Sequence, residues 1–347
     1  AIANRAIACG PAYGGEMKTV LFGLVCALGL GCGGSRGTSG ALATDSAAYE
    51  IHEWGVVTAS STGLAVPTGP PRAPVPIMTV EKPVLYLHAT APVTLRLEVL
   101  VGSGFEVSEH YPLTTNMHWG VQATPGRCAE QHAYPTACEA PDGVCEVGEL
   151  QRYETLDASC LSVGEQRLPL LFYRLGASGH VSLPAEVRVQ GTEVSARALR
   201  ENLTGWRVAL VDGEVRAAPV TLTQGWHPLP APDQPWTEAE AALNQGLRDA
   251  GLTDEERSAF QRAWWRELFG APTPPRATDD PMHEDHVVEE QTEEAEHAER
   301  AGGRPRGPVL DVLFYLLPPS EIDRVASIVA TPPPSQLRRA FLVRHVL

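Results

Sequence analysis

The sequence predicts a mainly β protein of the α+β class, with a β-sandwich-like or partly open barrel body and a C-terminal helical hairpin. Between about residues 49 and 230, short segments rich in β-branched and aromatic residues are separated by Gly, Pro, Asp and Asn. Within them, Val93–Val101 alternates apolar and polar residues, the pattern of a strand with one face in water. Helix start signals occur only later in the chain, in residues 231–270.

The N-terminal part of the chain has the pattern of a bacterial export signal. Met17 and Lys18 precede an apolar run that ends with a small residue directly before Cys32. Residues 17–31 therefore predict a cleaved lipoprotein signal peptide, with lipid attached to Cys32. An ordinary secretory signal, cut among the small residues nearby, is the alternative. Residues 1–16 carry no export feature, and we expect them to be a non-native upstream extension.

Residues 32–48 are rich in Gly and Ser and predict a flexible tether between the lipid and the body. We expect a protein of the bacterial cell envelope that is bound to a membrane through its lipid anchor. The outer membrane is favoured, and a periplasmic or secreted protein is the alternative location. An envelope protein or a glycan is the expected binding partner.

The charge of the chain argues against a nucleic-acid partner. The formal net charge is −15, whereas nucleic acids attract clustered Lys and Arg. Much of the negative charge lies in residues 271–307, where acidic side chains are frequent and apolar ones are rare. This composition predicts an acidic, disordered insertion.

Four cysteines remain once those in or before the predicted signal and tether are set aside: Cys128, Cys138, Cys145 and Cys160. An even number in an oxidising compartment predicts two disulfides, and three connectivities are open. The two disulfides would crosslink the loop of residues 128–160. A zinc site built from the four is the alternative, but their spacing lacks the paired C-x2-C pattern of such sites.

Two capping boxes, Thr237–Glu240 and Thr253–Glu256, predict helices over about 237–250 and 253–269. The short connection between them predicts an antiparallel hairpin. One face of the second helix carries an apolar stripe, which we expect to pack on the sheet: Phe260, Ala263, Trp264 and Leu268.

The last segment, residues 308–347, predicts a closing strand and a terminal helix. The apolar run from Val309 to Leu317 is typical of a buried strand. After three consecutive prolines, we expect a short helix from about Ser335.

Five motifs occur in one order along the chain: His52–Gly55, Lys82–Tyr86, Glu109–Pro112, Leu170–Arg174 and Phe314–Pro318. In this order they resemble an uncharacterised family of exported bacterial proteins marked by a HEWG motif. The resemblance implies export and this order of strands and helices, but no activity, since the function of the family is unknown. This chain departs from the family pattern at Val56 and Val57, where Thr-Phe is usual, and at His110, where Trp is usual.

The candidate site consists of three residues of the first motif, two of the third motif and one histidine that follows it: His52, Glu53, Trp54, Glu109, His110 and His118. Imidazole and carboxylate groups suit zinc or another divalent metal, and three such ligands plus water would make a hydrolytic centre. However, adjacent residues on a strand point to opposite faces, so His52 and Glu53 are not expected to share a site. We expect one of the two to face a core pocket and the other to lie at the surface.

Other catalytic patterns are missing from the sequence. It contains no G-x-S-x-G elbow between a predicted strand and a predicted helix, and no glycine-rich phosphate loop after a strand. The sequence therefore favours a non-catalytic binding or structural protein of the envelope, with no cofactor beyond its lipid. The alternative is a metal-dependent hydrolase centred on the HEWG motif.

Overall fold

The computed structural model describes residues 48–60, 78–135, 147–177, 181–200, 202–270 and 310–347. The predicted signal peptide, Cys32, most of the tether and the acidic insertion lie outside these residues. Within the described part of the chain, the helices are too short and too polar to cross a membrane.

The described residues form mainly strands. In chain order they are β1 (Tyr49–Ser60), β2 (Met78–Ala89), β3 (Val93–Val101), β4 (Phe105–Tyr111), β5 (His118–Thr124), β6 (Cys160–Val163), β7 (Gln166–Leu168), β8 (Leu171–Ala177), β9 (Ala185–Gln190), β10 (Glu193–Ala198), β11 (Leu203–Val211), β12 (Glu214–Leu222), β13 (His227–Pro228), β14 (Gln234–Pro235), β15 (Asp311–Leu316), β16 (Ala326–Thr331) and β17 (Gln336–Val346). The helices are α1 (Trp236–Asp249), α2 (Asp254–Phe269) and α3 (Pro319–Val325), with 3-10 turns at Thr115–Met117 and Val147–Tyr153. The mainly β class with a C-terminal helical pair is confirmed.

The strands of the described residues form three sheets. The largest has nine strands in the order β14-β12-β11-β15-β17-β1-β2-β8-β4, and the second has five in the order β16-β3-β5-β6-β7. A small third sheet has the order β13-β10-β9. Near the centre of the large sheet, β1 pairs in parallel with β17 and antiparallel with β2. Because both faces of β1 are covered, residues 51–57 are all buried, polar ones included.

The predicted terminal helix is wrong, because residues 336–346 form strand β17 between β1 and β15. Four consecutive residues in its middle, 340–343, are buried, which requires apolar contacts on both faces of a strand. The helix-like spacing of Leu337, Ala340 and Phe341 does not decide the structure. Ladder hydrogen bonds to two neighbouring strands outweigh that local preference. Strand β16 and helix α3 are also absent from the sequence prediction.

The two predicted helices are present as α1 and α2, but only the second capping box forms. Thr253 Oγ1 accepts a hydrogen bond from the Glu256 N–H at 3.2 Å, and Glu256 Oε2 accepts one from the Thr253 N–H at 2.8 Å. Helix α1 instead begins at Trp236 after Pro235, so Thr237 lies inside the helix and caps nothing. The apolar stripe of α2 is buried, as predicted.

We expect the two threonines to respond differently to substitution. Thr253→Ala removes a working helix cap and should lower the free energy of unfolding by about 1 kcal/mol. Thr237→Ala replaces an exposed residue within the helix and should change it by less than about 0.5 kcal/mol. Urea unfolding followed by circular dichroism measures both, and equal losses would contradict the assignment of the caps.

One of the two predicted disulfides is confirmed. Cys128 and Cys160 are bonded, with their Cα atoms 4.6 Å apart. Cys138 and Cys145 lie outside the described residues, so their bond stays a prediction.

Candidate metal centre

Three side chains from distant parts of the chain meet at one end of β1 and β2. His52 Nδ1 lies 3.0 and 2.9 Å from the two carboxylate oxygens of Glu256, and His88 Nε2 lies 2.8 Å from Glu256 Oε1. One potential ligand atom from each residue lies within 4.8 Å of the others. We call these three side chains, His52, His88 and Glu256, the metal cluster, by which we mean one group of potential ligands for a single ion.

Strand pairing and the helix cap together position the metal cluster. In the β1–β2 register, His88 lies opposite Glu50, two residues before His52 on the same face of the sheet. The His52 and His88 rings consequently lie with their centroids 4.2 Å apart. Glu256 belongs to the first turn of α2, where the capping box with Thr253 fixes its carboxylate at the helix N-terminus.

Groups outside the metal cluster act on both imidazole rings. His52 Nε2 lies 3.2 Å from Glu50 Oε2, and that same oxygen accepts a hydrogen bond from Arg338 Nε at 2.8 Å. The backbone of Asp157 lies near the His88 ring and favours its protonated form, so it contributes to the raised pKa of His88. Metal-binding histidines are typically held as His52 is, with the other ring nitrogen donating to a carboxylate or a carbonyl.

Glu256 remains ionised although it is fully buried. Burial favours the neutral acid, but hydrogen bonds and charge from His52 and His88 outweigh burial and lower the pKa of the carboxyl to about 2. Burial opposes a positive charge on His88. The hydrogen bond to the Glu256 carboxylate and its negative charge outweigh this effect of burial, so the pKa of His88 is raised. The metal cluster is thus a strong site for positive charge, whether protons or a metal ion provide it.

The donor chemistry of the metal cluster fits a transition metal. Two imidazole nitrogens and one carboxylate are a common ligand set for zinc, and they leave a coordination position for water or another ligand. When the outer nitrogen of a neutral ring carries the proton, as when His52 donates to Glu50, the inner nitrogen presents a lone pair to Glu256. Lone pairs facing a carboxylate repel it, so each inner contact needs a proton or a cation.

Of the six predicted site residues, only His52 belongs to the metal cluster. Glu53 points to the opposite face of β1, where Tyr173 Oη donates to Oε1 at 2.7 Å and Arg339 Nε donates to Oε2 at 2.5 Å. Trp54 is fully buried and packs edge-on against Tyr153. The structure thus separates His52 from its neighbour Glu53, as expected for a strand, but both are buried.

The other three predicted residues lie elsewhere. Glu109 is buried on β4 and accepts a hydrogen bond from the Val147 N–H at 3.0 Å. His110 Nε2 accepts one from the Thr114 N–H at 3.1 Å. His118, nearly half exposed, pairs with Glu98 on the neighbouring strand. The structure does not bring these three residues to His52.

His88 and Glu256 are not among the residues predicted from sequence. Glu256 lies 204 residues from His52 and 168 residues from His88 along the chain. No spacing rule connects residues so far apart, and the only local signal was the helix cap at Glu256. Comparison with family models, curated proteins and solved structures finds no match to this chain.

Proposed function

We propose that this chain is an exported, lipid-anchored envelope protein whose β-rich body binds one transition-metal ion at His52, His88 and Glu256. The meeting of two imidazoles and one buried carboxylate, with His52 held from outside by Glu50, carries the metal assignment. The export signal and the resemblance to exported HEWG proteins support the location.

The ligand atoms favour zinc or a similar late transition metal. Imidazole nitrogen suits Zn²⁺, Cu²⁺, Ni²⁺ and Fe²⁺, whereas Ca²⁺ and Mg²⁺ prefer sites built from oxygen. Glu256 would supply the negative charge, and Glu50 would orient His52 through its outer nitrogen. Arg338, which donates to Glu50, holds that carboxylate in place.

Burial favours a structural ion over a catalytic one. His52 is 4% exposed and Glu256 is fully buried, so the metal cluster leaves little room for a substrate. An ion there would join the N-terminus of α2 to β1 and β2 and so stabilise the packing of the helical pair on the sheet. The proposed role is therefore non-catalytic.

A metal-dependent hydrolase remains the second candidate because an ion at the metal cluster would have a free coordination position on a partly exposed side. Three protein donors leave a coordination position free, and the side chain of His88 keeps 19% of its surface exposed on one side of the metal cluster. In this case the zinc-loaded protein would hydrolyse ester, phosphoester or peptide substrates, and His88→Ala would abolish the activity.

Metal binding is tested by elemental analysis and by Zn²⁺ titration against a chromophoric chelator. We expect about one bound ion per chain, and an affinity at least about 100-fold lower in His88→Ala and in Glu256→Gln, since each loses a ligand. His118→Ala, which changes an exposed histidine outside the metal cluster, is the matched control and should bind normally. If the unaltered protein holds no metal, or if all variants bind equally, the metal cluster is only an ion pair that anchors α2.

The proposed location has a separate test. Expression in a Gram-negative host with radiolabelled palmitate should label the unaltered chain and place it in the membrane fraction. Cys32→Ala should lose the label and enter the soluble fraction. A labelled Cys32→Ala protein would contradict the assignment of the lipid-attachment residue.

A further inference from the structure

The segment that precedes Cys160, which is bonded to Cys128, borders the metal cluster. Residues 154–159 form neither helix nor strand, and they connect the 3-10 turn Val147–Tyr153 to β6. Ser159, directly before Cys160, is 2% exposed. Thr155, Ala158 and Ser159 are buried, whereas Leu156 and Asp157 are exposed. An irregular segment of this kind is held by its specific contacts and by the covalent link at its end.

Ser159 holds β2 on both sides of His88. Its N–H donates to the Leu87 carbonyl at 2.8 Å, and its Oγ accepts a hydrogen bond from the Ala89 N–H at 2.8 Å. The pairing of β2 with β8 extends only to Leu85. Beyond that residue, Ser159 therefore occupies the place of a neighbouring strand and fixes the backbone of His88.

The same segment also lies beside the His88 ring. The backbone of Asp157 lies near the imidazole and favours its protonated form, and Nε2 of that ring lies 2.8 Å from Glu256. At the other end of the segment, the Cys160 N–H donates to the Gly126 carbonyl at 2.8 Å, and the disulfide joins Cys160 to Cys128. The group beside the ring and the contacts to its backbone thus come from one short stretch that ends in a covalent link.

We propose that the Cys128–Cys160 disulfide positions His88 for metal binding, so that the oxidised protein binds the ion more tightly than the reduced protein. This inference rests on the proposed metal function. A dithiol would reduce the bond by transferring two electrons and two protons, leaving two cysteine thiols and one oxidised dithiol. Without the crosslink, the segment 157–159 loses its covalent anchor and is held by hydrogen bonds alone, so the orientation of His88 becomes less restricted.

The test compares Zn²⁺ affinity in the unaltered protein, in the Cys128→Ser/Cys160→Ser double variant and in Ser159→Ala. Loss of a contact that orients a ligand typically lowers metal affinity about 10- to 100-fold. We expect a loss of about 10-fold or more in the double variant and a smaller loss in Ser159→Ala. Alkylation with iodoacetamide before titration prevents any free thiol from binding zinc. The visible spectrum of bound Co²⁺ should also change, because it reports ligand geometry.

Val220→Ala is the control for general destabilisation, since Val220 is a buried residue of β12. It should lower the free energy of unfolding and leave the Zn²⁺ affinity unchanged. Unchanged affinity in both test variants would overturn the inference and leave the metal function standing. If the double variant does not fold, an unchanged affinity in Ser159→Ala overturns it. Absence of metal binding in the unaltered protein would instead overturn the proposed function.

Discussion

Arg339→Met is expected to lower the free energy of unfolding by about 3–5 kcal/mol, because it leaves the buried carboxylate of Glu53 without its cation. Glu53 is fully buried, and Arg339 contacts it at 2.5 Å. Arg339 also donates to the Ala326 carbonyl at 2.9 Å and to Asp323 at 2.7 Å, so it connects β1 to the end of α3. Urea unfolding at neutral pH measures the loss.

The matched control for this substitution is Arg216→Met. Arg216 and Glu214 form an exposed ion pair of similar length, 2.5 Å, and such pairs contribute about 0–1 kcal/mol. If Arg339→Met costs no more than this control, the Glu53–Arg339 pair does not stabilise the fold. A large difference would show that the glutamate of the HEWG motif serves the packing of β1 rather than chemistry at His52.

Acidification from pH 6.5 to pH 4 is expected to destabilise the protein by about 3 kcal/mol through His345 alone. His345 is 6% exposed, and its Nε2 lacks a hydrogen-bond partner among the described residues. Burial lowers the pKa of His345 to about 4, whereas the unfolded chain should titrate near 6.5. Between these values the unfolded state binds more protons than the folded state. The contribution of neutral His345 to stability is therefore fully present above pH 6.5 and decreases as the pH falls to 4.

His345→Gln isolates this contribution, because glutamine does not titrate. The difference in unfolding free energy between the unaltered protein and His345→Gln should shrink by about 3 kcal/mol as the pH falls from 6.5 to 4. Measurements at constant ionic strength avoid changes in charge screening. A difference that does not vary with pH would mean that His345 is charged, or solvated, in the folded protein.

Local patterns in the sequence were sufficient for the β class and for most of the strands. Val93–Val101 alternates because one face of β3 is buried and the other is in water, and the structure shows that alternation. The capping box at Thr253 also depends only on residues within one helical turn. Such features can be predicted because the cause and its effect lie within a few residues.

Features that depend on two-sided burial could not be predicted in this way. Residues 336–346 have a helix-like apolar spacing, yet they form β17 because β1 and β15 offer hydrogen bonds on both edges. The capping box at Thr237 fails for a related reason. Pro235 pairs with Arg216 of β12, so the helix begins directly after it.

The sequence by itself determined the mainly β class, the start of α2 and the separation of His52 from Glu53, because these follow from the local period of a strand or a helix. Only the tertiary structure decided which groups meet at His52. The pairing of β1 with β2 brings His88 there, and the docking of α2 adds Glu256. The contacts of Glu256 join residues more than 150 positions apart, and the free energy of burial and pairing, rather than any sequence spacing, places the three side chains together.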